Sequence, residues 1–266
     1  MPIWQLCANL LIPNCLRSNL SYSPLAALEL YVKKSVSKFL KDNDVLFFNE
    51  RDFQMNLCMM LMNSKNQYDK IYLEYHIPST CLAEKDKTNE YIWNSDLRLD
   101  VVVQKGDEFC PIELKYKTKS ENELLISRFD QEFLSDVLKN QSAEDLGMYH
   151  FWKDVRRIEL VRRRFEKVKN GLAIFLTNNP RYTKRGREDS KHINFSMDDT
   201  KLQPKEKVWQ TKPGSVSKNK KLLENQYPGF SVEKEYQIEW NKNELLCDGA
   251  DHKLLKITFH YCILEI

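Results

Sequence analysis

Two strand-like segments joined by a short glycine-containing link constrain the fold of this chain most strongly. Residues 97–103 and 109–117 are rich in β-branched and apolar side chains, and Gly106 lies in the link between them. Glycine readily adopts the positive φ angles of a tight turn, so the pattern predicts an antiparallel β-hairpin. If Gly106 and Asp107 are the two turn residues, the pairing register of the strands follows.

This register predicts that two carboxylates lie side by side. Asp100 would lie opposite Glu113, and Arg98 would lie opposite Lys115. The alternation of side chains along each strand independently assigns these four residues to one face of the hairpin. The hairpin is therefore the candidate functional site of this chain.

Paired carboxylates with a nearby lysine indicate a particular kind of site. Directly opposed carboxylates have Cβ atoms about 5 Å apart and repel each other, so a cation between them is expected. Oxygen ligands favour Mg²⁺, with Mn²⁺ as a substitute, and Mg²⁺ is commonly held by one or two carboxylates next to a substrate phosphate. Lys115, two residues after Glu113, could orient or deprotonate a water or stabilise charge on the phosphate. The spacing predicts a metal-assisted phosphodiester site.

A competing interpretation is an exposed hairpin face with ordinary salt bridges among the same four residues. The apolar run at residues 101–103 argues against it, because such a run is typical of a strand buried on both faces. An unpaired charge is costly in that setting unless a metal or a substrate compensates it.

Helical and strand patterns surround the hairpin. Asn49 and Asp52 resemble a capping box at the start of a helix that we expect to be largely buried. A continuous apolar run at residues 172–176 is typical of a central strand. We therefore predict an α/β fold with a central mixed sheet flanked by helices. The predicted helices cover residues 24–40, 50–62 and 142–169, and the further strands cover 71–77, 172–176, 236–240 and 254–266.

Asp100, Glu113 and Lys115, set in this order of elements, resemble the PD-(D/E)XK nuclease superfamily, which includes many restriction endonucleases and the archaeal Holliday-junction resolvases. Leu99 stands where the name of the family would place proline. The resemblance covers residues 49–178. It implies a restriction-endonuclease-like core. The patterns of the rest of the chain predict a single domain of residues 1–266, in which this core is extended by a polar basic insertion at 179–229 and strands at 230–266.

The resemblance also implies roles for individual residues. Asp100 and Glu113 would hold Mg²⁺, the carbonyl oxygen of Ile112 would be a further ligand, and Lys115 would be the catalytic lysine. Glu50 matches a glutamate that precedes the first strand in this family. It could equally well complement the dipole of its own helix.

Several residues are candidates for contact with nucleic acid. Some members of the superfamily carry Gln and Tyr in and ahead of the helix that follows the hairpin, and Gln141 and Tyr149 are similarly placed. Arg157 lies in that helix, and arginine binds phosphate bidentately, although a solvated charged face is the commoner interpretation.

The insertion is strongly basic. Between residues 181 and 221 there are 12 Lys or Arg residues against 5 Asp or Glu. This segment either follows a nucleic-acid backbone or is a flexible solubilising loop. Its candidate contacts are Arg181, Lys184 and Arg185.

Composition alone does not identify a partner. The chain carries 41 Lys and Arg against 38 Asp and Glu, a formal charge of +3 that is too even to indicate nucleic acid. Its 7 cysteines include no C-x-x-C pair, which favours a reducing compartment. No apolar run reaches the length of a membrane span. We expect a cytoplasmic protein with no membrane partner, and the resemblance allows a homodimer.

The sequence thus predicts Mg²⁺-dependent hydrolysis of DNA, and RNA is a possible substrate in place of DNA. Two non-catalytic functions also stay open. The chain could be a nucleic-acid-binding module that keeps the fold without cleavage, or an assembly subunit that docks through residues 178–229.

Overall fold

The computed structural model describes residues 28–65, 68–81, 96–121, 123–141, 143–210 and 224–266. In chain order the elements are α1 (Leu28–Asp42), α2 (Glu50–Met62), β1 (Lys70–Ile77), β2 (Leu97–Lys105), β3 (Glu108–Lys117), β4 (Leu124–Arg128), β5 (Gln131–Ser135), α3 (Glu144–Arg164), β6 (Leu172–Thr177), β7 (Glu206–Lys207), β8 (Phe230–Ser231), β9 (Asn241–Asp248) and β10 (Leu254–Glu265). None of the helices in these ranges has the length and apolarity that a membrane span needs.

A six-stranded sheet in the order β1-β2-β3-β6-β10-β9 organises the protein. Strands β3 and β6 run parallel, and the other neighbours run antiparallel. Helices α1 and α2 pack on one face, where Val32, Leu57 and Ile112 of β3 belong to the same hydrophobic core. Helix α3 covers the other face through Phe151 and Val155. The prediction of an α/β fold with a mixed central sheet is confirmed.

The β2–β3 hairpin has the predicted register from Val101, which pairs with Ile112, to Lys105, which pairs with Glu108. Gly106 has a φ of 58°, the conformation that makes glycine favourable in this turn. Every residue of β6 is buried, as expected for a central strand covered on both faces.

Helix α2 starts as predicted, but its burial is one-sided. The side chain of Asn49 accepts a hydrogen bond from the Asp52 backbone N–H, while the Asp52 carboxylate accepts one from Phe48. The apolar side of α2 is buried, whereas Met59 and Met62 are exposed. The prediction of a largely buried helix is therefore wrong for the methionine side.

The described part of the basic insertion is folded against α3. Tyr182, Phe195 and Trp209 are buried, and the Trp152 indole N–H donates to the Phe195 carbonyl oxygen. This packing contradicts a flexible solubilising loop and removes these aromatic rings from any nucleic-acid surface. Residues 211–223, which carry part of the basic charge, lie outside the described residues, as do residues 24–27 of the first predicted helix.

Other predicted boundaries also differ. Residues 236–240 form no strand apart from an isolated bridge at Tyr236, and the strand of this region is β9 instead. Helix α3 begins at Glu144 after Ala143, which has a positive φ and no capping side chain. Ser142, the first residue of the predicted helix, lies outside the described residues.

The sequence patterns did not predict the β4–β5 hairpin, which lies between β3 and α3 along the chain. Its base is anchored in the core by Leu124 and Leu138, which are buried. Phe129 at its tip is 99% exposed. Phe129 and Asp130 both have positive φ angles.

Candidate active site

The side chains of β2 stop alternating strictly between the two faces of the sheet at Asp100, and the candidate site lies at this break. Leu99 and Val102 both pack toward Leu160 of α3, whereas Val101 joins the core on the opposite face. Glu74, which lies across from Asp100 on β1, has a φ of 50°. Such a strained angle in a non-glycine residue persists only where the surrounding structure enforces it.

Asp100 is held by side-chain contacts instead of ladder hydrogen bonds. The Leu114 N–H donates to Oδ2 of Asp100 at 2.6 Å, and Nε2 of Gln54 donates to the Asp100 carbonyl oxygen at 2.7 Å. The same Gln54 amide donates to Oε1 of Glu74 at 3.1 Å. The ladder between β2 and β3 ends at the pair of Val101 and Ile112, so the predicted pairing of Asp100 with Glu113 is not part of it. The Asp100 carboxylate is turned toward the backbone of β3 instead.

A cleft of about 230 Å³ opens beside Asp100. Oε2 of Glu50 accepts a hydrogen bond from the Tyr116 N–H at 2.9 Å, which joins the start of α2 to β3. The structure thus brings Glu50 to the predicted site. The lining residues are Glu50, Arg51, Gln54, Glu74, Asp100 and Leu114.

Glu113 does not line this cleft and is only 1% exposed. Within the described part of the chain, neither of its carboxylate oxygens has a well-aligned hydrogen-bond donor, although Nη1 of Arg157 lies 3.0 Å from Oε1. Burial raises the pKa of Glu113 well above its usual range; Arg157 opposes this, and the Asp154 and Asp100 carboxylates add to it. A second cation near this carboxylate would therefore be stabilising.

Lys115 is a cation whose side chain is only 15% exposed. Its Nζ lies 2.6 Å from Oδ2 of Asp154 and donates to the Leu114 carbonyl oxygen at 2.9 Å. Burial alone would lower its pKa, but four carboxylates, led by Asp154 and Glu50, raise it above the usual value. Lys115 is thus held protonated, which fits charge stabilisation better than proton abstraction.

The charges of the site do not balance. The carboxylates of Glu50, Asp100, Glu113 and Asp154 surround the two cations Lys115 and Arg157. At the cleft, Glu74 and Arg51 offset each other. If the four carboxylates and the two cations were all ionised, the site would carry an excess of two negative charges. Burial accordingly raises the pKa of Asp100, while Lys115 opposes that rise.

Two predicted details of the hairpin are wrong. Arg98 does not join the carboxylate face, because its side chain is exposed and its carbonyl oxygen accepts a hydrogen bond from Nη2 of Arg157. The interpretation as an exposed salt-bridged face also fails, since Glu113 is buried. The cleft is lined by Leu114 and not by Ile112, so the assignment of Ile112 as a metal ligand finds no support among the described residues.

The predicted nucleic-acid contacts divide into buried and exposed residues. Tyr149 is fully buried, and its hydroxyl group donates to the Pro228 carbonyl oxygen at 3.0 Å, so the structure offers no accessible Tyr149 surface to nucleic acid. Arg157 forms ion pairs with Glu113 and Asp154, so its guanidinium group is not free to bind a phosphate.

The remaining candidates lie outside the cleft. Lys184 is exposed, and Arg181 is exposed beside Glu144. Arg185 pairs with Glu188 and the buried Asp198. The backbone N–H of Gln141 donates to the Thr118 carbonyl oxygen. None of these four residues lines the cleft that the described part of the chain forms beside Asp100.

Sequence reasoning gave Asp154 and Gln54 no place in the site. A signal for Asp154 was available, because it lies three residues after Phe151 and four before Ile158, on the buried side of α3. Gln54 likewise shares the buried side of α2 with Phe53 and Leu57. A polar residue on the apolar side of a helix requires a polar partner.

No protein-family model, no curated protein and no solved structure matches this chain. Among the residues that the structure describes, no group of three or more His, Cys, Asp or Glu side chains is arranged to hold a metal ion. A functional assignment therefore rests on the residues of the site and their geometry.

Proposed function

We propose that this chain is a Mg²⁺-dependent nuclease with a restriction-endonuclease-like core, and that it hydrolyses DNA phosphodiester bonds through Asp100, Glu113 and Lys115. One observation carries the proposal. The Glu113 carboxylate is buried beside Asp100, and its oxygens lack aligned donors among the described residues. A buried carboxylate is costly unless cations compensate it, and Arg157, 3.0 Å from Oε1, leaves both oxygens of Glu113 without an aligned hydrogen bond from any residue that the structure describes.

The donor set fits a small divalent cation. Mg²⁺ commonly binds through one or two carboxylates and retains several waters, so it does not need a cage of three protein ligands. Asp100 and Glu113 would hold it, with Glu50 on the same cleft, and the excess negative charge would attract it. Bound there, Mg²⁺ would supply Lewis acidity toward the phosphate oxygens.

The residues of the chain itself have separable tasks. Lys115, kept protonated by the carboxylates around it, would stabilise the negative charge that develops on the phosphate. Asp154 fixes the position of the Lys115 ammonium group. Gln54 and the Leu114 N–H hold Asp100 in place, so the carboxylate does not have to be ordered when the substrate binds.

The order of elements supports the same proposal. Apart from the β4–β5 hairpin inserted between β3 and α3, the chain from α2 to β6 has the helix, three strands, helix, strand order of the PD-(D/E)XK superfamily that the motif resembles. DNA is the substrate class implied by that resemblance. Fold alone does not establish an activity, so the substrate must be tested directly.

The test is a calorimetric titration of Mn²⁺ into the wild type and the double variant Asp100→Asn/Glu113→Gln, with Mg²⁺-dependent cleavage assays on plasmid DNA, branched DNA and RNA. Glu244→Gln is the matched control, because Glu244 pairs with Lys256 in β9 and β10, far along the sheet from β2. We expect metal binding and cleavage in the wild type and the control, and their loss in the double variant. An equal Mn²⁺ response in all three proteins would reject the site.

A second candidate is a nucleic-acid-binding or assembly subunit that keeps the fold without cleavage. The buried ion pairs of Lys115 with Asp154 and of Arg157 with Glu113 favour it, because they partly compensate the carboxylates without a metal. Binding of DNA that needs no divalent ion, with no cleavage product in any assay, would favour this function over the first.

A further inference from the structure

We propose that Arg157 is a resident counter-cation of Glu113 that competes with the divalent ion and sets the affinity of the site for it. This inference rests on the proposed metal site. It assigns to Arg157 a charge inside the site that opposes the divalent ion, in place of a direct contact with nucleic acid.

Arg157 connects α3 to both strands of the central hairpin. Its Nη1 atom lies 3.0 Å from Oε1 of Glu113 and 3.0 Å from Oδ1 of Asp154. Its Nη2 atom donates to the Arg98 carbonyl oxygen at 2.7 Å. With a side chain only 20% exposed, Arg157 is a fixed part of the site.

The two carboxylates use the guanidinium group differently. Nη1 of Arg157 makes a well-aligned hydrogen bond to Asp154, whereas its contact with Glu113 is close but not aligned as a hydrogen bond. Arg157 therefore compensates the charge of Glu113 while leaving the lone pairs of that carboxylate unused. Asp154 and the Arg98 carbonyl oxygen would retain the guanidinium group if Glu113 bound another cation.

A cation that binds Glu113 would thus approach a positive charge that stays in place. Like charges a few ångströms apart repel strongly in a partly buried setting. Removal of the Arg157 charge should therefore strengthen divalent-ion binding, even though it removes native contacts. A purely structural role predicts the opposite, because damage to the site weakens binding.

The experiment compares Mn²⁺ titrations of the wild type, Arg157→Gln, Arg157→Lys and Arg162→Gln. Arg162 is the matched control, since it lies on the same helix and also donates to a backbone carbonyl oxygen, that of Lys169. We expect Arg157→Gln to bind Mn²⁺ about tenfold more tightly, and the two other variants to stay within about threefold of the wild type. Circular dichroism establishes that each variant is folded.

A second measurement uses the wild type and does not depend on the folding of any variant. Titration with Mg²⁺ should shift the NMR signal of the Arg157 Nε–H group, which is assigned by its absence in Arg157→Lys. This inference would be overturned if folded Arg157→Gln bound Mn²⁺ no more tightly than the wild type, or if Mg²⁺ left the Arg157 signal unchanged. Neither result would contradict the proposed metal site. A wild type that binds no Mn²⁺ would overturn both.

Discussion

Nζ of Lys115 lies 2.6 Å from Oδ2 of Asp154, a contact that joins the central strand β3 to helix α3 across one face of the sheet. Asp154 is buried, and burial alone would raise its pKa. Lys115 and Arg157 together lower that pKa below its usual range. Asp154 is therefore an ionised carboxylate that orients the lysine of the proposed nuclease.

Asp154→Asn should slow cleavage without abolishing DNA binding. The amide keeps the volume of the side chain but loses the charge that holds the Lys115 ammonium group, and partners of this kind are worth about 10- to 100-fold in activity. Steady-state kinetics should show this loss in kcat with little change in KM. Asp154→Glu should recover part of the rate. An unchanged kcat in Asp154→Asn would show that Lys115 needs no such partner.

Glu29→Gln should stabilise the protein at high pH only. Half-burial, followed by the Glu265 carboxylate, raises the pKa of Glu29 from 4.5 to about 7. A folded-state pKa above the unfolded value means that the protonated form is favoured by folding. Its stabilising contribution is complete below about pH 4.5 and is lost as the pH rises through about 7.

The Glu29 prediction can be checked by thermal unfolding at about pH 5 and about pH 8. The gain in Tm of Glu29→Gln over the wild type should be larger at the higher pH, because glutamine resembles the protonated acid. The exposed Glu244→Gln variant should show no such difference. A gain that is independent of pH would assign the effect to packing rather than to titration.

Phe129→Asn should stabilise the β4–β5 hairpin. Phe129 and Asp130 both have positive φ, which is the pattern of a two-residue type I′ turn and favours Asn and Gly. Phe129 is 99% exposed, so its replacement removes little buried area. Relief of the left-handed strain should raise the free energy of unfolding by about 0.5 to 1 kcal/mol. Urea denaturation measures this change, and a loss of stability would indicate that the ring packs in solution.

Gly171→Ala should destabilise the protein, because the chain enters β6 through a tight gap. A Cβ atom at Gly171 would lie 3.0 Å from the carbonyl oxygen of Pro111 and would also meet the Ile158 side chain. Overpacking of this kind costs about 1 to 3 kcal/mol. Urea denaturation should show a lower midpoint with an unchanged slope. A midpoint equal to that of the wild type would mean that β3 and α3 can shift apart at this point.

Much of the local structure follows from the order of residues. The turn at Gly106 specifies the register of β2 and β3, because a two-residue link leaves one way to pair the strands. Asn49 starts α2, and the apolar run of β6 predicts a buried strand. These signals succeed because capping, turn geometry and periodic burial depend on neighbours in sequence. The motif of Asp100, Glu113 and Lys115 can be found in the same way, because its three residues lie on the two strands of one hairpin.

The partners of that motif depend on the tertiary structure. Gln54 of α2 donates hydrogen bonds to both Asp100 and Glu74. Asp154 and Arg157 contact Lys115 and Glu113 of β3 from α3, which follows the β4–β5 hairpin. Periodicity places a charged residue on a side of its own helix or strand, but it does not say which residue it meets. The basic insertion is a further case, because its polar composition predicted a loop, whereas its aromatic residues pack it onto α3. The sequence by itself thus determined the two carboxylates and the lysine, whereas only the packing of distant elements decided their burial and their charge partners.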